Sequence, residues 1–218
     1  MKRFLRNNGL SLVILAMFFF SLFGQVVTGL KEHNEEITQL GAPPVGMLQY
    51  LQSGHFLQST FENWESEFLQ MGLFLILSIF LYQKGSSESK DPDKKEEVDR
   101  EPDPRRKNAS WPVKKGGVWL AVYKHSLCYA FMLLFLFSFI LHWRGSMIDY
   151  NDEQLLKKLP TQSAMQYLFN SKLWFESFQN WQSEFLSMFT IILFSVFLRE
   201  HRSPQSKPVD APDDETGE

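Results

Sequence analysis

Two carboxylates, Glu67 and Glu184, stand in nearly identical surroundings, FENWESEFLQM from Phe61 to Met71 and FQNWQSEFLSM from Phe178 to Met188. A glutamate beside an apolar helical run is suited to carry a proton or attract a cation, because its charge is costly in hydrocarbon unless paired, hydrated or protonated. Helical spacing aligns Asn63, Ser66 and Glu67 with Gln70, and Asn180, Ser183 and Glu184 with Ser187. Each polar stripe lies about 140° from an apolar one by the 100° advance per residue. The apolar stripes are Leu57, Phe61, Trp64 and Phe68, and Trp174, Phe178, Trp181 and Phe185. Trp64 and Trp181 are expected to act as interfacial anchors. Gln25, one turn from Ser21, and His142, one turn from Ser138, are expected at similar depth, with His142 as a proton partner of Glu184. Asn63, Ser66, Glu67, Asn180, Ser183, Glu184, Gln25 and His142 together make a candidate polar or ion cluster. The same side chains also suit a purely structural part, bonding backbone and neighbouring helices near a helix end.

Other chemistry is not signalled. The five histidines are scattered, Cys128 is single, and there is no zinc spacing, phosphate-binding glycine loop or nucleophile elbow. No catalytic residue, metal or cofactor is assigned, no nucleic-acid partner is expected, and the chain reads as a non-enzyme.

The elements that must position the stripes are apolar helices. Average hydropathy is slightly negative and the net charge is -3, but averaging hides strong segregation. Gly9 to Leu30 and Ser126 to Trp143 are uncharged, and at about 1.5 Å per residue such runs match a hydrocarbon layer of roughly 30 Å. Phe68 to Gln83 and Phe185 to Leu198 are shorter. They reach the required length if their helices begin near Asn63 and Asn180, which draws Glu67 and Glu184 about one turn inside the membrane boundary.

Sliding the chain by about 117 positions aligns Arg6 to Lys90 with Tyr123 to Lys207 without a gap, at about two dozen identities. The first apolar run therefore corresponds to an internal one. That counts against a cleaved signal peptide, as do its length and the poor cleavage site at Ser21 to Gln25. The expected fold class is all-α: a polytopic membrane protein with four transmembrane helices in two tandem parallel helical-hairpin repeats. Residues 1–84 form the first hairpin, with helices at about 9–30 and 63–83; residues 117–202 form the second, with helices at about 124–143 and 180–199. Residues 85–116 read as a disordered cytoplasmic linker and 203–218 as a disordered acidic tail, both too polar to bury a core. Lys2, Arg3, Arg6, Lys84, Lys90, Lys114, Lys115, Lys124, Arg199 and Arg202 fall on one side, which places both termini in the cytoplasm.

The segments RNNGLSL (Arg6 to Leu12), ENWESEFLQ (Glu62 to Gln70), NWQSEFL (Asn180 to Leu186), QKGSSESK (Gln83 to Lys90) and the SKPVDAPDDETG end resemble an uncharacterised family of bacterial membrane proteins, a domain of unknown function. The resemblance covers nearly the whole chain and implies a bacterial inner-membrane setting. It brings no activity or catalytic residue. The expected function is a non-catalytic membrane component or scaffold, partnered by the lipid bilayer and by a second copy or another membrane protein. The alternative is a small channel or ion-linked transporter working through Glu67 and Glu184.

Overall fold

The computed structural model describes residues 2–217, which form helices and turns without a strand. Four helices are long: α1 (Lys2–Gln39), α3 (Gly54–Phe80), α6 (Ser126–Leu156) and α8 (Ser171–Phe197). Short helices α2 (Met47–Tyr50) and α7 (Ala164–Leu168) lead into α3 and α8. A 3-10 turn (Glu97–Asp99), α4 (Trp111–Lys115) and α5 (Gly117–Lys124) lie between α3 and α6.

Of the four expected spans, α1 and α6 are by themselves long and apolar enough to cross a membrane. Along α1, Leu10, Phe20 and Phe23 are 78, 79 and 68 % exposed, and the helix buries no residue. A helix that is apolar all round yet uncovered by protein is matched to a lipid environment.

The helix limits differ from those expected. α1 continues to Gln39 and α6 to Leu156, while α3 starts at Gly54 and α8 at Ser171. The turns added to α1, Lys31 to Gln39, are rich in Glu, with Lys and Gln beside it, good helix formers that propagate backbone bonding beyond the apolar run. Hydropathy marks the lipid-sized part of a helix, not its end.

The ends of α1 and α6 are built alike. After α1, Gly41 N–H bonds Thr38 O at 3.0 Å and Ala42 N–H bonds Ile37 O at 2.9 Å, with Gly41 at φ +86°. After α6, Lys158 N–H bonds Leu155 O at 3.1 Å and Leu159 N–H bonds Gln154 O at 2.9 Å, with Lys158 at φ +58°. Both are the paired bonds that satisfy the last carbonyls of a helix through one left-handed residue.

Packing divides the chain into two compact units, Met1–Glu62 with Phe139–Trp174, and Asn63–Ser138 with Phe175–Glu218. Each draws on both halves of the chain.

In the first unit the start of α3 lies directly against α6. A Cβ on Gly54 would run into the backbone N of Asp149, and one on Gly145 would meet the Leu57 Cβ at 2.7 Å. Only glycine at both places lets the backbones touch. Tyr50 and Tyr167 are fully buried. The Tyr50 hydroxyl lies where a Gly29 side chain would be, and the Tyr167 hydroxyl bonds Ser146 Oγ at 2.7 Å. Each loop before these tyrosines is tied to a long helix by an asparagine. Asn34 Nδ2 donates to Val45 O at 3.0 Å and Oδ1 accepts from Val45 N–H at 2.7 Å. Asn151 holds Gln162 identically, at 2.9 and 2.8 Å.

In the second unit Gly72 leaves room for Met132, and Trp181 packs on Phe135 and Phe178 with ring centroids 6.4 and 5.3 Å away. Lys115 Nζ sits 4.7 Å from both the Trp111 and Trp119 rings. The start of the linker and parts of the tail bond one another in this unit. Gly85 N–H bonds Thr216 Oγ1 at 2.8 Å, Gly217 N–H bonds Ser86 O at 3.1 Å, and Ser86 Oγ meets Ser195 Oγ at 2.8 Å. Lys207 Nζ donates to the carbonyls of Pro212, Asp213 and Glu215 at 3.2, 3.0 and 2.9 Å. Composition registers the scarcity of apolar surface but not these polar bonds, which stand in for a core.

Candidate functional site

The polar extension of α1 sets His33 and Glu36 three residues apart, hence on one face of the helix. Across from them, Ser53 starts α3 by accepting from Phe56 N–H at 3.2 Å, a cap that fixes the first turn and with it His55. The His33 and His55 rings have centroids 5.0 Å apart, and one ligand atom each from His33, Glu36 and His55 lies within 4.8 Å of the others. Tyr50 braces both imidazoles, with ring centroids 5.7 Å from His33 and 5.9 Å from His55. Its hydroxyl is 3.4 Å from His55 Nδ1, while His55 Nε2 is 3.2 Å from a Glu32 oxygen. His33 Nδ1 is buried and makes no hydrogen bond.

These groups face a chamber of about 430 Å³ in the first unit, whose other polar lining includes Asp149, Asp152, Glu153 and Lys172. Lys172 Nζ lies 3.4 Å from Asp149 Oδ2, and Glu153 is paired with Lys157. Burial, then the neighbouring His55, holds the His33 imidazole below its ordinary pKa, so it is the more readily neutral. Burial, then Glu32, pushes Glu36 up; burial, then Asp149, does the same to Asp152. The chamber is lined by four carboxylates and one ammonium. Its chemistry is that of a cation acceptor.

The structure gives each residue anticipated from the sequence its own surroundings. Glu67 and Asn63 are exposed, while Glu184 and Asn180 are half-buried. The serine hydroxyls turn back on their own helices: Ser66 Oγ donates to Asn63 O at 2.7 Å, Ser183 Oγ to Asn180 O and Ser187 Oγ to Glu184 O, both at 2.8 Å. The buried carboxylate of this segment is Glu65, fully enclosed, which accepts from Ser177 Oγ at 2.8 Å. Gln25 Nε2 donates to Thr60 Oγ1 at 3.2 Å and Ser59 Oγ at 3.4 Å. His142, expected beside Glu184, is fully buried with Glu62 at 3.9 Å from its Nε2. Trp64 and Trp181 are half-buried, and Trp181 spends its ring on Phe135 and Phe178.

Sequence reasoning passed over His33, Glu36, His55 and Tyr50. The i, i+3 spacing of His33 and Glu36 was half of the signal; the other half, His55, arrives only when the chain reverses between α1 and α3.

The whole chain, residues 1–218, is matched by a family model described as domain of unknown function (DUF6766). The chain belongs to that family. The resemblance to an uncharacterised family read from its segments is therefore correct, and membership in DUF6766 brings no activity with it. No curated protein and no solved structure matches the chain.

Proposed function

We propose that this chain is a non-catalytic, multi-pass component of a bacterial inner membrane that presents a cation-accepting chamber on the outer face. The observation that carries this reading is the segregation along α1. Its charge-free stretch exposes Leu, Val, Met and Phe on every side, and its first charges after that stretch lead directly into the chamber. Such a helix is stable where lipid covers the apolar part and water reaches the polar end. α3 and α8, at 27 residues each, have the length to cross beside α1 and α6. The two asparagine clamps, the two buried tyrosines and the two left-handed helix ends all recur about 117 positions apart. They support a duplicated, parallel hairpin, and the placement of Lys2, Arg3, Arg6, Lys84 and Lys90 supports a cytoplasmic side for both termini. The transporter reading through Glu67 and Glu184 is the alternative, and the serine hydroxyls beside those carboxylates are engaged with backbone.

Site-directed labelling tests it. In a Cys128→Ser background, Gln39→Cys, at the chamber wall, is expected to react with a membrane-impermeant maleimide in intact spheroplasts. Ser87→Cys, in the linker, is expected to react only after lysis. Equal labelling of both before lysis, or the reverse order, overturns the topology.

A further inference from the structure

We propose that His33, Glu36 and His55 form a binding site for a divalent transition-metal ion of the zinc class. The proposal deepens the reading of the chamber as a cation acceptor and rests on it. Two imidazoles and one carboxylate are the donor set of a zinc site that keeps an open position, and their ligand atoms already lie within 4.8 Å of one another. Zn–N and Zn–O bonds of about 2.0–2.2 Å require the donors to close by roughly an ångström or more. Torsion of the exposed Glu36 side chain and small rotations of the rings accomplish that.

Three further observations favour a transition metal over a hard cation or a polar organic ligand. First, His33 Nδ1 is a buried acceptor or donor with no protein partner among the described residues. Calcium and magnesium prefer oxygen, whereas a neutral imidazole suits zinc, copper or nickel. Second, His55 is fixed from both sides, by Tyr50 Oη and by Glu32. A metal taken at one ring nitrogen leaves the other on an existing partner, the outer-shell arrangement that orients metal-bound histidines. Third, Glu36, Asp149, Asp152 and Glu153 line the same chamber and, among the described residues, only Lys172 and Lys157 are paired with them, so a dication offsets the remaining excess of acid. The places of His33 and His55 in the second half of the chain are taken by Tyr150 and Lys172, so the proposed site has no counterpart at the corresponding positions.

The experiment uses the full-length protein in detergent, freed of metal by a chelator and dialysis. Zn²⁺ binding is measured by competition with a chromophoric chelator, and Co²⁺ is added as a spectroscopic probe. The expected result is one ion per chain and visible ligand-field bands for Co²⁺ bound through nitrogen. Glu36→Gln is the mildest variant because its side chain is exposed; it is expected to weaken Zn²⁺ by about tenfold or more. His33→Asn and His55→Asn are expected to weaken it by more than the roughly 10–100-fold that outer-shell changes cost. A Zn²⁺-dependent rise in melting temperature, present in the parent and absent in these variants, reports the same site in any variant that folds. Absence of stoichiometric binding in the parent, or equal binding by Glu36→Gln and both histidine variants, overturns the proposal. Because binding in detergent does not depend on orientation, its failure alongside correct cysteine labelling removes the metal and leaves the membrane reading standing. The opposite pair of results removes the topology alone.

Discussion

The side chain of Asn34 makes both hydrogen bonds that the backbone of Val45 offers, at 3.0 and 2.7 Å, and so ties the loop after α1 back onto the helix. Asn34→Asp keeps the acceptor and size but sets a carboxylate oxygen against Val45 O. The expected loss is about 1–3 kcal/mol, the range for a partly buried polar group deprived of its partner. Thermal unfolding in detergent measures it, and Asn151→Asp is expected to behave alike through Gln162. An unchanged melting temperature for both would show that the clamps are incidental.

Lys158 occupies the left-handed position that closes α6, where Gly41 closes α1. A side chain with a Cβ in that conformation costs about 1–2 kcal/mol. Lys158→Gly is therefore expected to stabilise the protein by up to roughly that amount, less the backbone entropy glycine adds to the unfolded chain. Gly41→Ala is expected to destabilise. Paired unfolding curves test the two signs together.

Glu65, not Glu67, is the glutamate that matters to packing in the NW-[EQ]-SEF segment of α3. Ser177→Ala removes a donor from a fully enclosed carboxylate and is expected to cost about 1–3 kcal/mol. Combined with Glu65→Gln it is expected to be non-additive by about 0.5–3 kcal/mol, as for residues in direct contact. The exposed Glu67→Gln is expected to stay within about 0.5 kcal/mol of the parent. If Glu67→Gln proves the more damaging, the assignment of the buried group is wrong.

The linker turn has a pH dependence of known sign. A hydrogen bond from Lys90, then the Glu96 amide, holds the Asp99 carboxyl below its ordinary value of 3.8, and Lys90 is raised above 10.5 chiefly by the same bond. The depressed carboxyl contributes to the turn above about pH 3.8 and loses that contribution as pH falls through its folded value. The raised ammonium loses its share as pH climbs past 10.5 toward its own folded value. Carboxyl-carbon NMR of Asp99 is expected to show a midpoint below 3.8, moving up toward that value in Lys90→Met while the Glu96 amide still holds it down. A midpoint unaffected by Lys90→Met would exclude the ion pair.

The apolar runs made the four long helices legible, because a charge-free stretch of that length has few other fates in water or lipid. The helix ends were not legible. Lys31 to Gln39 and Arg144 to Leu156 look like loop by hydropathy and are helix by propensity. The choice between Glu65 and Glu67 was also beyond the sequence. Two residues apart on a helix, they point to nearly opposite faces, and which face is covered depends on where Ser177 lies. His33 and His55 are 22 positions apart, joined by a reversal that no local periodicity encodes. The tail went unread for a different reason. Lys207 is satisfied by three backbone carbonyls, and carbonyls leave no trace in composition.

Tyr50 and Tyr167 stand in corresponding, equally enclosed seats, but the first leans on a bare glycine and the second on a serine hydroxyl. The Tyr167 oxygen is already engaged by a short bond, whereas the Tyr50 oxygen has only the longer contact with His55. One aromatic post is thus bolted to its neighbour and the other is left with a free hand toward an imidazole. If the halves descend from a common hairpin, the swap between Gly29 and Ser146 is where an inherited strut and a working part diverged, and a side chain restored at Gly29 would evict the Tyr50 hydroxyl from the space it now fills.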